Sequence, residues 1–174
     1  AKLQTAMNEN LATIETITDF TPIVTESDSR GILDIHAPSV EIKHLTFQGM
    51  KINSGGGIVN VNKGSIVTMT DVKLNNGHTV NGNGGSINVE SGATVNLQDI
   101  VVTNSKTEKG NGGAMACSGT CNMMGNSKFE LSNAPKGGGL AVMSGSTMKI
   151  TSSSSTTSTT LLTLGENKAN DGGG

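Results

Sequence analysis

Runs of glycine begin at Gly55, Gly84, Gly112, Gly137 and Gly172, and each of the first four opens a stretch that reads alike. The successive spacings are 29, 28, 25 and 35 residues. Internal similarity at a period of roughly 20 to 50 residues is the mark of a repeat architecture. It constrains the fold before any single strand or helix is assigned.

Two copies show what repeats. Val59, Val61, Val67, Met69, Asp71, Val72, Leu74 and Asn76 have counterparts 28 residues later in Ile87, Val89, Val95, Leu97, Asp99, Ile100, Val102 and Asn104, and Gly64 recurs as Gly92. Apolar and polar residues alternate within each copy, as in Ile87-Asn88-Val89 and Val95-Asn96-Leu97. That period of two predicts short strands with one buried face. Three strands per copy, with turns at Gly92 and near Asp99 and Asn104, fill one closed coil. No helical periodicity interrupts them, so equivalent strands must stack in parallel, about 4.8 Å apart.

Further copies keep the register. Leu140, Val142, Gly145, Met148 and Ile150 lie 53 residues beyond Ile87, Val89, Gly92, Val95 and Leu97. An earlier, glycine-poor coil runs through Leu33, Ile35, Val40, Ile42, His44, Leu45 and Phe47, with Gly49 where other copies place asparagine. The copy around Met115, Cys117, Cys121 and Met123 is shortened at its first turn, and Gly55–Gly57 sits one residue out of step; bulges or altered turns are expected there. The fold expected is all-β, a right-handed parallel β-helix (solenoid) of about five coils of 25–35 residues, which at 4.8 Å each stack to about 24 Å.

The ends read differently. Leu3, Ala6, Met7 and Asn10 follow helical spacing, and residues 13 to 17 alternate like a strand. Residues 1–20 are therefore expected to form an N-terminal cap, a short capping helix plus strand, that hides an edge open to aggregation. The solenoid would occupy residues 21–174. The first residue is Ala1, not methionine, which reads as a processed or excised segment. Asp171-Gly172-Gly173-Gly174 reads as the start of another coil, so the solenoid is expected to continue or to stack on something.

Composition narrows the function. Tyrosine and tryptophan are absent and three phenylalanines occur, so Ile, Val, Leu and Met must fill the core in layers. Twelve basic residues against 14 acidic ones point to no nucleic-acid partner. No apolar run reaches the ~18 residues of a bilayer span, so no membrane insertion by this segment is expected. None of the 18 asparagines falls in an N-x-Ser/Thr sequence, which leans toward a bacterial source.

Asn76, Asn104, Asn133 and Asn167 recur after 28, 29 and 34 residues, a few positions before each glycine run. Asparagine tolerates left-handed backbone, suits tight turns, and can stack into an amide ladder. A structural turn ladder is the reading adopted. With these asparagines, GGSI at Gly84, GGAM at Gly112 and GGGL at Gly137 resemble the GGA(I/L/V) and FxxN repeats of the chlamydial polymorphic outer-membrane proteins. More broadly they resemble right-handed β-helix passengers of autotransporters and the pectin-lyase-like superfamily. Leu164-Gly165-Glu166-Asn167 keeps an apolar residue at the FxxN spacing, whereas Phe129 precedes Asn133 by four residues, not three. The resemblance covers nearly everything after residue 30. It implies a secreted or surface-displayed passenger involved in adhesion, at a bacterial outer membrane, carried by a C-terminal barrel.

That superfamily also holds polysaccharide lyases and hydrolases. Such enzymes need clustered acids with a basic partner, or carboxylates at set separation. The aligned polar column here is His44, Asp71 and Asp99, spaced 27 and 28 residues. Stacked carboxylates about 5 Å apart could hold calcium or raise one pKa, which makes Asp71 and Asp99 the metal candidates. The plainer reading is a turn column facing water, and the one arginine, Arg30, lies a coil away. No enzyme and no cofactor are expected. A zinc site is not expected either, since His36, His44 and His78 are scattered and no second cysteine pair exists.

Cys117 and Cys121 flank Ser118-Gly119-Thr120 and replace Val89 and Val95 of the preceding coil. A disulfide is favoured over two buried free thiols. Residues 151–163 break the repeat with Ser152, Ser153, Ser154, Ser155, Thr156, Thr157, Ser158, Thr159 and Thr160. So polar a run should protrude as a loop, which is the interaction candidate on this scaffold. Two functions follow. One is a surface adhesin passenger whose partner is a host-cell or neighbouring-cell surface protein or glycan. The other is a subunit of an extracellular fibre, assembling with further copies of itself through the uncapped edge.

Overall fold

The computed structural model describes residues 13–15, 31–49, 51–151 and 162–171. They form a parallel β-solenoid. Each turn contributes one strand to each of four sheets, and every strand pairs in parallel with its equivalents in adjacent turns. The first sheet stacks Leu33–Ile35, Val59–Val61, Ile87–Val89, Met115–Cys117 and Leu140–Val142. The second stacks Ser39–Lys43, Ile66–Thr70, Thr94–Gln98, Thr120–Met124 and Thr147–Thr151, with Thr13–Glu15 paired below Ser39–Lys43. The third holds Thr46–Gln48, Lys73–Asn75, Val101–Thr103, Ser127–Glu130 and Leu162–Gly165.

The register follows the sequence repeat. Ile87 lies beside Val59 on one side and Met115 on the other, and Met115 beside Leu140. Cys121 aligns with Val95, so the two residues missing from that coil are lost in the turn and not in a strand. The glycine-poor coil aligns as well, Val40 with Val67 and Phe47 with Leu74. Four turns, starting at Leu33, Val59, Ile87 and Met115, place a strand in each of the four sheets, and strands between Leu140 and Asp171 pair beside the last of them. That is a coarser result than the five coils expected, because residues 152–161 of the next turn lie outside the described residues. The expected N-terminal helix lies outside them too; no helix occurs among those described.

Sequence alternation had suggested three strands per coil. A fourth exists: Lys51–Ile52, His78–Thr79, Lys106–Thr107, Asn133–Lys136 and Lys168–Asp171. It escapes an apolar count because its inward residues are Ile52, then Thr79, Thr107 and Ala134. The threonines are buried for a reason. Thr79 Oγ1 accepts from the Gly82 amide at 3.2 Å, and Thr107 Oγ1 accepts from Gly110 at 3.0 Å while donating to the Gly82 carbonyl at 2.6 Å. They satisfy backbone groups of the turn that leads into the glycine run, as buried polar groups must.

Inside, side chains stack in columns along the axis. Phe47, Leu74, Val102 and Phe129 form one, and Ile42, Met69, Leu97 and Met123 another, all fully buried. Each such side chain contributes about 1.5–3 kcal/mol on burial. The glycine pairs close the coil. Gly84, Gly112 and Gly137 take φ of 67°, 72° and 60°, a conformation costly to other residues. In the first copy the positive φ falls on Gly55, at 75°, so the extra glycine displaces the turn by one residue. The second glycine of each pair serves contact: a Cβ at Gly85 would overlap the carbonyl oxygen of Gly113 in the next turn.

Candidate functional site

The polar column anticipated as a metal candidate occupies the corner between the second and third sheets. His44, Asp71 and Asp99 have φ of 53°, 51° and 55°, and Gly125 continues them at 68°. Asp tolerates the left-handed region better than most residues, which accounts for this spacing. The carboxylates do not converge. Asp71 Oδ2 lies 3.0 Å from His44 Nδ1 in the preceding turn, whereas Asp99 Oδ1 accepts from the Asn126 amide of the following turn at 2.8 Å. Among the described residues no group of three or more His, Cys, Asp or Glu is placed to hold a metal ion.

A second left-handed corner joins the third and fourth sheets through Asn76, Asn104, Leu131 and Glu166, with φ of 59°, 53°, 53° and 51°. Asn104 Nδ2 donates to Asn76 Oδ1 at 2.6 Å, and Asn76 Nδ2 to Gln48 Oε1 at 3.1 Å. The ladder thus contains two of the four expected asparagines. Asn133 is a strand residue beside Lys106, and Asn167 lies one position past the corner, bonded to the Ser132 amide and the Phe129 carbonyl. Their near-equal spacing reflects turns of unequal length. Unanticipated ladders occur elsewhere: Asn88 donates to Asn60 at 2.7 Å, Asn122 to Asn96 at 2.9 Å and Asn81 to Asn53 at 2.7 Å.

Cys117 and Cys121 are joined by a disulfide across the shortened turn, with Cα atoms 6.4 Å apart, and both are fully buried. Residues 152–160, the interaction-loop candidate, lie outside the described residues. Their flanks are placed: Thr151 pairs with Met124 and Leu162 with Ser127. Those two flanks pair with the residues that border Gly125 and Asn126 one turn earlier.

Two polar clefts lie on the outside. The first, about 260 Å³, runs between the first sheet and the turns beside it and is lined by Ser54, Asn60, Asn81, Asn83, Asn88 and Glu90. The second, about 440 Å³, lies against the fourth sheet and is lined by Lys106, Thr107, Glu108, Asn133, Pro135 and Asn170. At its margin Glu108 Oε1 receives Lys51 Nζ and His78 Nε2, each at 2.9 Å. The hydrogen bond from Lys51, then that from His78, holds the Glu108 carboxyl below its ordinary pKa. Sequence marked Asn133 only as a turn residue and His78 only as one of three scattered histidines, and it marked none of these residues as lining a cleft. Lys51, His78, Lys106 and Asn133 follow one another at 27, 28 and 27 residues, so the repeat period alone would have found the column.

The chain matches no known protein family, no curated protein and no solved structure. Its function is read from its own residues.

Proposed function

We propose that the chain is a segment of a secreted or cell-surface protein, a non-catalytic β-helix scaffold of the adhesin-passenger kind, at a bacterial outer membrane. The observation that carries this reading is the Cys117–Cys121 disulfide, closed inside the core. Disulfides of this kind persist in oxidising, extracytoplasmic compartments. A rigid solenoid with amide-rich outer faces supplies the rest, since rigid frames present contact residues at low ordering cost. In this reading the coil is right-handed, the hand that parallel crossovers nearly always take. Leu140 to Asp171 complete a fifth turn whose Ser/Thr insert meets a surface protein or glycan of another cell.

The test is surface labelling of intact source cells, with thiol alkylation before and after reduction. Labelled protein whose cysteines react only after reduction is the expected result. Protein confined to the cytosol with free thiols would sink the reading.

A further inference from the structure

A column of cationic side chains runs along one side of this solenoid. Lys51, His78, Lys106, Asn133 and Lys168 are direct partners in successive strands of the fourth sheet, all on its outer face. Strands about 4.8 Å apart place Lys106 and Lys168, two turns apart, about 10 Å from each other along the axis. Both are exposed, and neither forms an ion pair among the described residues. The acid that lines the cleft, Glu108, is already occupied by Lys51 and His78. Lys73 adds another exposed cation on the adjoining third sheet. With a formal net charge of -2 for the whole chain, this face reflects placement and not a general surplus of lysine.

The cleft beside the column combines the cations with amides. Asn133 and Asn170 line it together with Lys106. The geometry points to a binding surface for a linear acidic glycan, bearing sulfate or carboxylate groups and lying along the solenoid axis. Lysine ammonium groups take the anions, and the asparagine amides take ring hydroxyls. Other polyanions fit less well. A nucleic acid would want aromatic platforms, but Tyr and Trp are absent and the two phenylalanines among the described residues, Phe47 and Phe129, are fully buried. An anionic membrane would want apolar side chains to insert, whereas this column is lysine, histidine and asparagine. The inference names a partner class for the scaffold reading above and rests on that reading for its setting only.

The purified chain is titrated with heparin, uncharged dextran, a single-stranded oligonucleotide and phosphatidylserine vesicles, at salt from about 50 to 200 mM. Saturable heparin binding that weakens with salt is expected. Lys106→Gln with Lys168→Gln should weaken it about tenfold. Lys43→Gln with Lys149→Gln, on the second sheet, should change it less than about twofold. Circular dichroism checks that both double variants remain folded. No heparin binding at low salt, equal losses in both pairs, or equally tight binding of oligonucleotide or vesicles overturns the proposal. Failure of surface labelling on cells would refute the location and leave this result standing; absent heparin binding by a protein displayed on cells would do the reverse.

Discussion

Replacing Gly85 by alanine tests why the repeat needs paired glycines. Gly85 has no positive φ, so the backbone tolerates a side chain there; the obstacle is the neighbouring turn. An added Cβ would overlap the Gly113 carbonyl oxygen and sit 2.5 Å from the Lys106 amide nitrogen. Ordinary contact begins near 3.4 Å, so adjacent turns must separate locally by more than an ångström to clear the Gly113 oxygen. That separation breaks the bonds from the Gly85 amide to the Gly112 carbonyl (3.1 Å) and from Ser86 to Ala114 (3.0 Å). Two lost hydrogen bonds at about 1 kcal/mol each, plus overpacking strain of about 1–3 kcal/mol, give a destabilisation of about 3–5 kcal/mol. Gly64→Ala is the control: φ there is +87° but nothing lies within 4 Å of the new atom. It should cost about 1–2 kcal/mol, the left-handed penalty alone. Urea unfolding followed by circular dichroism reads both, with an unchanged slope confirming the same transition. Should Gly85→Ala cost no more than Gly64→Ala, the close stacking of turns is not what selects the second glycine.

Leu131 holds a left-handed φ of 53° at the corner where Asn76 and Asn104 stack, and it is 53% exposed. Leu131→Asn should stabilise by about 1 kcal/mol, read as a raised urea midpoint, whereas Asn104→Ala should cost about 1–2 kcal/mol. Reduction of the Cys117–Cys121 bridge, whose partners are 4 residues apart, should lower stability by about 2 kcal/mol on loop-entropy grounds; an unshifted midpoint in dithiothreitol contradicts this. Glu108 is depressed from an ordinary pKa of 4.5, so it adds stability above that value and loses it as pH falls through its lower folded value. Glu108→Gln should therefore lose less stability than the parent between about pH 5 and pH 3, and parallel curves would remove Glu108 from the acid limb.

The parallel solenoid and its inward columns were legible because one face of each strand must be apolar. Alternation through Val59, Val61, Val67 and Met69, repeated at a fixed spacing, leaves few other ways to bury those side chains. The two shortened or shifted joints were legible for the same reason: a missing residue cannot sit in a strand without turning its core face outward. The fourth sheet was not legible. Its strands carry as few as two residues, and the buried threonines answer to turn amides that sequence does not display.

Spacing alone also misplaced part of the asparagine ladder. Asn133 and Asn167 keep nearly the right interval, but whether two residues stack depends on where each turn shortens, which is settled when all four strands pair. Likewise His44, Asp71 and Asp99 do share a column, as the spacing required, yet which neighbour each side chain meets is a matter of corner geometry. The basic column was present in the sequence as residues 27 and 28 apart, but only the coiling of four strands per turn put those lysines on one outer face. Local alternation determines which residues face inward; the number of corners per turn, a tertiary quantity, decides which outward residues become neighbours.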